Sequence, residues 1–496
     1  MDELSVEQEE ELARELRHTC LVLIERGRHA LAQAKLKAAG EFFDGAMKLA
    51  TKLPSELTHG LFPLTLLCAS LLEQRRGRTR EAKTLRERGM PLLERIPLAE
   101  ESVPFHNLMS LALIDVGEYR RAIPFCEEAV QQLIVRGEPL AIADLLVREG
   151  TCYNRCGLHL QGAVPLRAAV DILRRHPGDP RLPSALIALG NAVRNAAPAE
   201  AEASYKEAAS IHEAKAQLES ATAAWVNLGI VCSRQGRHDE AIAWYERALR
   251  VREGSPGTPV SRIALLLNNM ANARRRMRQF DEALRLVARA LELLKNGDGA
   301  ALASAYGTRG EILHDAGNHV EAVEWLEKSC AERRKMSSPD LEALAEILAC
   351  QIDSLRALGR LDEARAAEQR LAEARAAQAT PARSAVNVDE LGEQAPGTVM
   401  LELPFGGRPG NRFDLRDAEI VAEQIGAILA MRDVGKYGGR VVIPESTTLW
   451  FYGAEADAIY DAMEQYLTDH AVCAGAVVTI RQGTKLRQAV VPQVTN

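Results

Sequence analysis

Residues Ala224 to Glu253 read AWVNLGIVCSRQGRHDEAIAWYERALRVRE. Trp225, Leu228, Gly229 and Cys232 stand at i, i+3, i+4 and i+7, the spacing of one helix face. A polar turn from Arg234 to Glu240 follows, and Ala241, Tyr245 and Ala248 then mark a second helix at i, i+4 and i+7. Small residues at Gly229, Ala241 and Ala248 let two antiparallel helices approach closely, while Trp225 and Tyr245 fill the space beside them. One such pair cannot bury its own apolar face, so copies are expected to stack on it.

The copies are there. The small residue that opens the second helix recurs at Ala39, Ala82, Ala122, Gly162, Ala201, Ala241, Ala283, Ala322 and Ala364, at intervals of 39 to 43 residues. A second small residue follows seven positions later at Ala46, Ala129, Ala169, Ala208, Ala248, Ala290 and Ser329. This gives about nine helix pairs. The two ends and the pair at Ala82 match the pattern least. The fifth pair has a turn about one residue shorter, with Pro198 placed where a helix can start.

The pattern W-x2-L-G followed by A-x3-Y-x2-A resembles a tetratricopeptide repeat. The period of about 40, together with Leu267-Asn-Asn-Met-Ala271 and Gln279-Phe-Asp-Glu-Ala-Leu284, resembles the kinesin-light-chain-like or peptide-sensor-like branch of that family. The fold expected is mainly α: a superhelix of repeats over residues 13–378, after an acidic lead at 1–12. The last helix, Asp362 to Gln378, is rich in Ala, Arg and Glu and suits a solvent-facing cap.

Residues 379–396 break the pattern and read as a linker. Beyond them, at 397–496, the class changes. Thr398–Pro404 reads as a strand, and Asp414 as the cap of a helix to about Arg432. Arg440–Ile443 and Thr448–Tyr452 read as a hairpin, Ala454–Asp469 as a helix, and Ala476–Arg481 with Leu486–Val491 as a second hairpin. The order β-α-β-β-α-β-(β) resembles a small α+β ferredoxin-like sandwich.

Bulk properties narrow the function. Net charge is −7, and residues 395–496 alone carry 12 acidic and 9 basic side chains, a balance of −3. Nucleic acid is therefore not expected as a partner, since phosphate neutralisation needs a basic surface. The amino terminus is acidic and unlike a signal peptide, and the most apolar run, Leu61–Leu72, is too short to span a bilayer. A cytoplasmic protein with reduced thiols is expected, and the Ala/Arg-rich composition has a bacterial look.

Catalytic signatures are absent from the sequence: no G-x4-G-K-[ST], G-x-S-x-G, H-E-x-x-H or paired C-x2-C. Phe405–Asn411 is Gly-rich but reads as a connector. Cys152, Cys156 and His159 share a spacing that could suit a soft metal but fall at ordinary packing and turn sites. Glu445, Asp457, Asp461 and Glu464 read as surface charge. No enzyme activity, cofactor or metal is expected.

Asparagine is more informative. By the resemblance, first helices line the concave face, and residues flanking their small position point into it. Those residues are Asn107, Asn191, Asn227, Asn268, Asn269, Asn272, Arg275, Arg276 and Arg309. Asn is a poor helix former, so its recurrence inside helices asks for a reason. Its amide donates and accepts together, which suits an extended peptide backbone, and Arg suits carboxylates. The resemblance implies a protein or peptide partner of acidic character, held in the groove by a non-catalytic scaffold. A ligand-responsive regulator, with the carboxy-terminal domain as output or oligomerisation module, is the alternative. The other reading of the same Asn residues is that they bond between neighbouring repeats or are solvated.

Overall fold

The computed structural model describes residues 6–52, 60–96, 98, 101–295, 299–336, 341–379, 397–404, 415–443, 446–469, 473, 476–482 and 485–491. Its helices come in antiparallel pairs: α1 (Val6–Ala32) with α2 (Leu36–Ala50), α3 (Leu61–Arg75) with α4 (Thr79–Gly89), α5 (Val103–Asp115) with α6 (Tyr119–Arg136), and α7 (Pro139–Arg155) with α8 (His159–Arg174). Next come α9 (Leu182–Val193), α10 (Pro198–Ala214), α11 (Leu218–Arg234), α12 (His238–Gly254), α13 (Val260–Arg276), α14 (Phe280–Leu293), α15 (Gly299–Asp315), α16 (His319–Arg334), α17 (Leu341–Ala357) and α18 (Leu361–Ala379).

The small positions sit where helices meet. Ala39, Ala82, Ala122, Ala201, Ala241, Ala283 and Ala322 are fully buried. A Cβ added to Gly229 would stand 2.3 Å from the Tyr245 ring, and one on Gly310 would stand 2.6 Å from Leu326. The indole of Trp225 closes the same junction, with Nε1 donating to Glu213 at 2.9 Å and Arg247 lying 4.2 Å from the ring centroid.

Eight of the turns inside the pairs share one device. Ala34, Gly77, Gly117, Gly157, Gly236, Arg278, Gly317 and Gly359 all have positive φ, each five positions before the small residue of the next helix. The following N–H closes back onto the first helix, as Arg237 does onto the Cys232 carbonyl at 2.9 Å. Glycine adopts this conformation without strain; Ala34 and Arg278 do not.

The chain falls into two compact units: residues 1–192 with 388–496, and residues 193–387. In the first, α1 reaches past its neighbour to α5, where Arg28 pairs with Asp115 at 2.8 Å, and Arg17 pairs with Glu101 just before that helix. Helix α1 begins at Val6, inside the stretch read as an acidic lead. Glutamates are good helix formers and are favoured in a first turn, so the acidic run starts the helix.

The same unit holds the strands. They are β1 (Gly397–Pro404), β2 (Lys436–Ile443), β3 (Ser446–Gly453), β4 (Val477–Gln482) and β5 (Lys485–Val490), with helices α19 (Leu415–Met431) and α20 (Ala456–Asp469). The sheet order is β2-β3-β1-β4-β5, antiparallel throughout, as a ferredoxin-like sandwich with an added edge strand requires. Val399, Leu401, Leu403, Leu449, Phe451, Val478 and Ile480 pack onto Ile425, Leu429, Ile459 and Met463. The first hairpin is longer than expected, since β2 starts at Lys436 and β3 at Ser446. The residues read as linker and Gly-rich connector, with Asp414, lie outside the described residues from 380 on. On its other side the sheet meets the repeats: β2 lies against α6 and α8, and Gln161 of α8 donates from Nε2 to the Tyr452 hydroxyl at 2.7 Å.

Glu149 on α7 is fully buried, and neither carboxyl oxygen has a hydrogen-bond partner among the described residues. Burial, then the nearby Glu127 carboxylate, push its carboxyl well above the usual range.

Two predictions follow from turn and core. Ala34→Gly relieves a left-handed alanine and should stabilise the chain by about 1 kcal/mol in urea unfolding; an unchanged or lower midpoint would contradict the turn geometry. Glu149 is raised in the folded state, so its contribution is complete at acid pH and is lost as pH rises from the ordinary carboxylate range through its folded value. Glu149→Gln should therefore gain on wild type by up to about 1.4 kcal/mol per pH unit across that window. Parallel stability-versus-pH curves would overturn this.

Candidate functional site

First helices within residues 193–387 build a groove. Helices α11, α13, α15 and α17 are successive first helices, and each contacts the next first helix of the series. Between them lies a cavity of about 590 Å³. It takes Asn268, Asn269, Asn272, Arg275 and Arg276 from α13, and Ser304, Thr308 and Glu311 from α15. Ser233 and Arg234 from α11, His238 and Tyr245 from α12, Arg333 from α16 and Glu346 from α17 complete its polar lining.

Much of this polarity is engaged along a ladder between adjacent first helices. Asn268 Nδ2 donates to Ser304 Oγ at 3.4 Å, and Asn272 Nδ2 to Thr308 Oγ1 at 3.2 Å. Arg275 donates from Nε to Asn272 Oδ1 at 3.3 Å and pairs with Glu311 at 3.1 Å and Asp315 at 2.7 Å. Glu311 sits above the usual carboxylate range because burial outweighs the pull of Arg275, with Glu346 and Asp315 adding to the rise. On the cavity lining, Asn268 Oδ1, Arg333 Nε and His238 Nδ1 are buried atoms without a partner among the described residues. Asn268 and Arg333 are 5% and 9% exposed.

The nine residues singled out from the sequence divide accordingly. Asn268, Asn269, Asn272, Arg275 and Arg276 come together on the cavity. Asn227 is half-buried on α11 and is not part of its lining. Arg309 turns the other way and lies 4.2 Å from the centroid of the Trp325 ring. Asn107 and Asn191 belong to the other unit, where Asn107 Oδ1 accepts from Arg148 at 2.6 Å and Asn191 is exposed on α9. Sequence reading missed Ser304, Thr308, Glu311, Arg333 and Glu346. The first three lie 36 residues after Asn268, Asn272 and Arg275, a lateral offset the packing period of about 40 does not reveal.

The cysteine spacing does not build a metal centre: no group of three His, Cys, Asp or Glu able to hold an ion occurs among the described residues. Cys152 is buried, and burial pushes its thiol up to about 12. No helix of the described residues is long and apolar enough to cross a membrane.

Asn272→Ala removes one rung of the ladder and should cost about 1 kcal/mol in unfolding, whereas Asn269→Ala should cost nothing measurable. Equal effects would mean that the two side chains share one role.

Residues 219–261 and 262–335 match the tetratricopeptide-repeat family model. No curated protein sequence matches the chain. Among solved structures, BtubC (BKLC) from P. vanneervenii is 24% identical, aligns over 46% of this chain and 96% of its own, and has a TM-score of 0.39. The apo form of RapI is 12% identical over 72% of this chain and 97% of its own, at 0.49. The apo quorum sensor NprR from B. thuringiensis is 12% identical over 71% and 97%, at 0.46. With TM-scores below 0.5, none of these bears on the groove.

Proposed function

We propose that this chain, whose residues 219–261 and 262–335 match the tetratricopeptide-repeat family model, is a non-catalytic scaffold that holds an extended segment of a partner protein or peptide in the α11–α17 groove. One observation carries the reading. The cavity wall holds a nearly buried acceptor, Asn268 Oδ1, and a nearly buried donor, Arg333 Nε, neither engaged by the described residues. An extended backbone brings an N–H and a C=O in alternation, which matches that pair. Asn269 and Arg276 line the same wall and supply further contacts.

The partner is acidic in this reading, and Arg276 and Arg333 meet its carboxylates. Arg275, first counted with them, is committed to Glu311 and Asp315. Free cysteines without a disulfide fit a reducing, cytoplasmic setting. The alternative, a ligand-responsive regulator, has one observation in its favour. The ladder between repeats lies in the groove itself, so an occupant that competes for Asn272 or Arg275 alters how adjacent repeats are held.

The test is affinity capture from native lysate with wild type beside Asn269→Ala/Arg276→Glu, read by mass spectrometry. A partner should be lost from the variant at unchanged melting temperature and should bind wild type more weakly as salt rises. A partner held equally by both chains would remove the groove from consideration.

A further inference from the structure

The carboxy-terminal sheet has two faces: one is buried throughout its centre, and the other is buried around Thr398, Thr448, Trp450 and Tyr452. One packs onto α19 and α20 as described. The other carries Trp450 and Tyr452, with Thr398 paired across from Tyr452 and Arg481 across from Thr398. A sheet with helices on one side ordinarily shows this second face to water. Here Trp450 and Tyr452 are 1% and 2% exposed, stacked with ring centroids 6.4 Å apart and planes at 24°.

The cover comes from the repeats. Strand β2 lies against α6 and α8, and Gln161, itself 3% exposed, bonds to the Tyr452 hydroxyl. The polar accounting on this side is incomplete. Gln161 Oε1, Trp450 Nε1 and Arg481 Nε are buried with no hydrogen-bond partner among the described residues. Each such group left unpaired costs free energy that water would return on opening. The sheet's packing on α19 and α20 forms a separate cluster, which lifting the sheet from the repeats does not disturb.

We infer that the Trp450–Tyr452 face is a reversible latch on α6 and α8, able to lift away as a folded body. Closing buries two aromatic rings against the repeats. Opening hydrates the three groups that lack a partner among the described residues and bares the Trp450–Tyr452 face together with the part of α6 and α8 it covers. Each is then available to a competitor for the other.

The full-length chain labelled with 5-fluorotryptophan tests this. It gives four fluorine resonances, for Trp225, Trp244, Trp325 and Trp450, each assigned by its loss in a Trp→Phe variant. A soluble paramagnetic agent then reports exposure. Trp450 should relax faster than Trp225, which is equally buried. Tyr452→Phe should raise the Trp450 effect by about fivefold, the size of one lost buried hydrogen bond, and leave Trp225 unmoved. Gln161→Ala, which leaves the sheet sequence intact, should do the same. If Trp450 stays as protected as Trp225 in both variants, the contact is permanent core and the latch is wrong. It is equally wrong if Trp450 becomes exposed only when the sheet unfolds, seen as loss of the shifted methyl signals of Val399, Leu401 and Ile480.

Discussion

Everything helical in this protein depends on how closely two antiparallel helices can approach. Gly229 has no room for even one carbon beside the Tyr245 ring, and Gly27 stands in the same relation to Phe43. Where the opposing position is alanine, as at Ala241, it is fully buried. Short separation on one side demands bulk on the other, which is why large rings recur beside small residues. In eight pairs it comes with a turn that holds one residue in left-handed conformation between the two helices.

The groove follows from the same constraint. Closely paired helices stack so that first helices neighbour first helices, and their polar side chains meet across a lateral step. Asn272 reaches Thr308, and Arg275 reaches Glu311 and Asp315. Polar residues inside a helix thus have two uses in one place. Asn268, Asn272 and Arg275 link adjacent repeats and line the cavity at once, and Asn269 and Arg276 beside them line it too.

The repeat architecture was legible because it is periodic. A small residue every 40 or so positions leaves its mark wherever the chain is read. The sandwich order was legible for a similar reason, since alternation along β1 and β3 marks the face turned to α19 and α20. The groove was half legible. Register picks out Asn269 and Arg276, which line the cavity, and equally Arg309, which lies over Trp325. Register alone does not say which way a long side chain turns when an aromatic face lies within reach. The docking of the sheet on α6 and α8 was not legible at all. It rests on Gln161 and Tyr452, which no period connects, and buried aromatic residues on β3 look the same in sequence whether they face a helix of their own domain or a repeat far away.

That distance has a consequence in time. Gln161 and Tyr452 are separated by 291 positions. At typical rates of chain synthesis, roughly 15 to 60 s pass between the appearance of one and the other. Throughout that interval the outer surface of α6 and α8 is made but uncovered, while all of residues 193–387 emerge. The early repeats therefore stand on their own small-against-large packing first. The last hundred residues arrive as a lid on a structure already assembled, and any factor that meets the nascent chain has an unobstructed view of the face they will close.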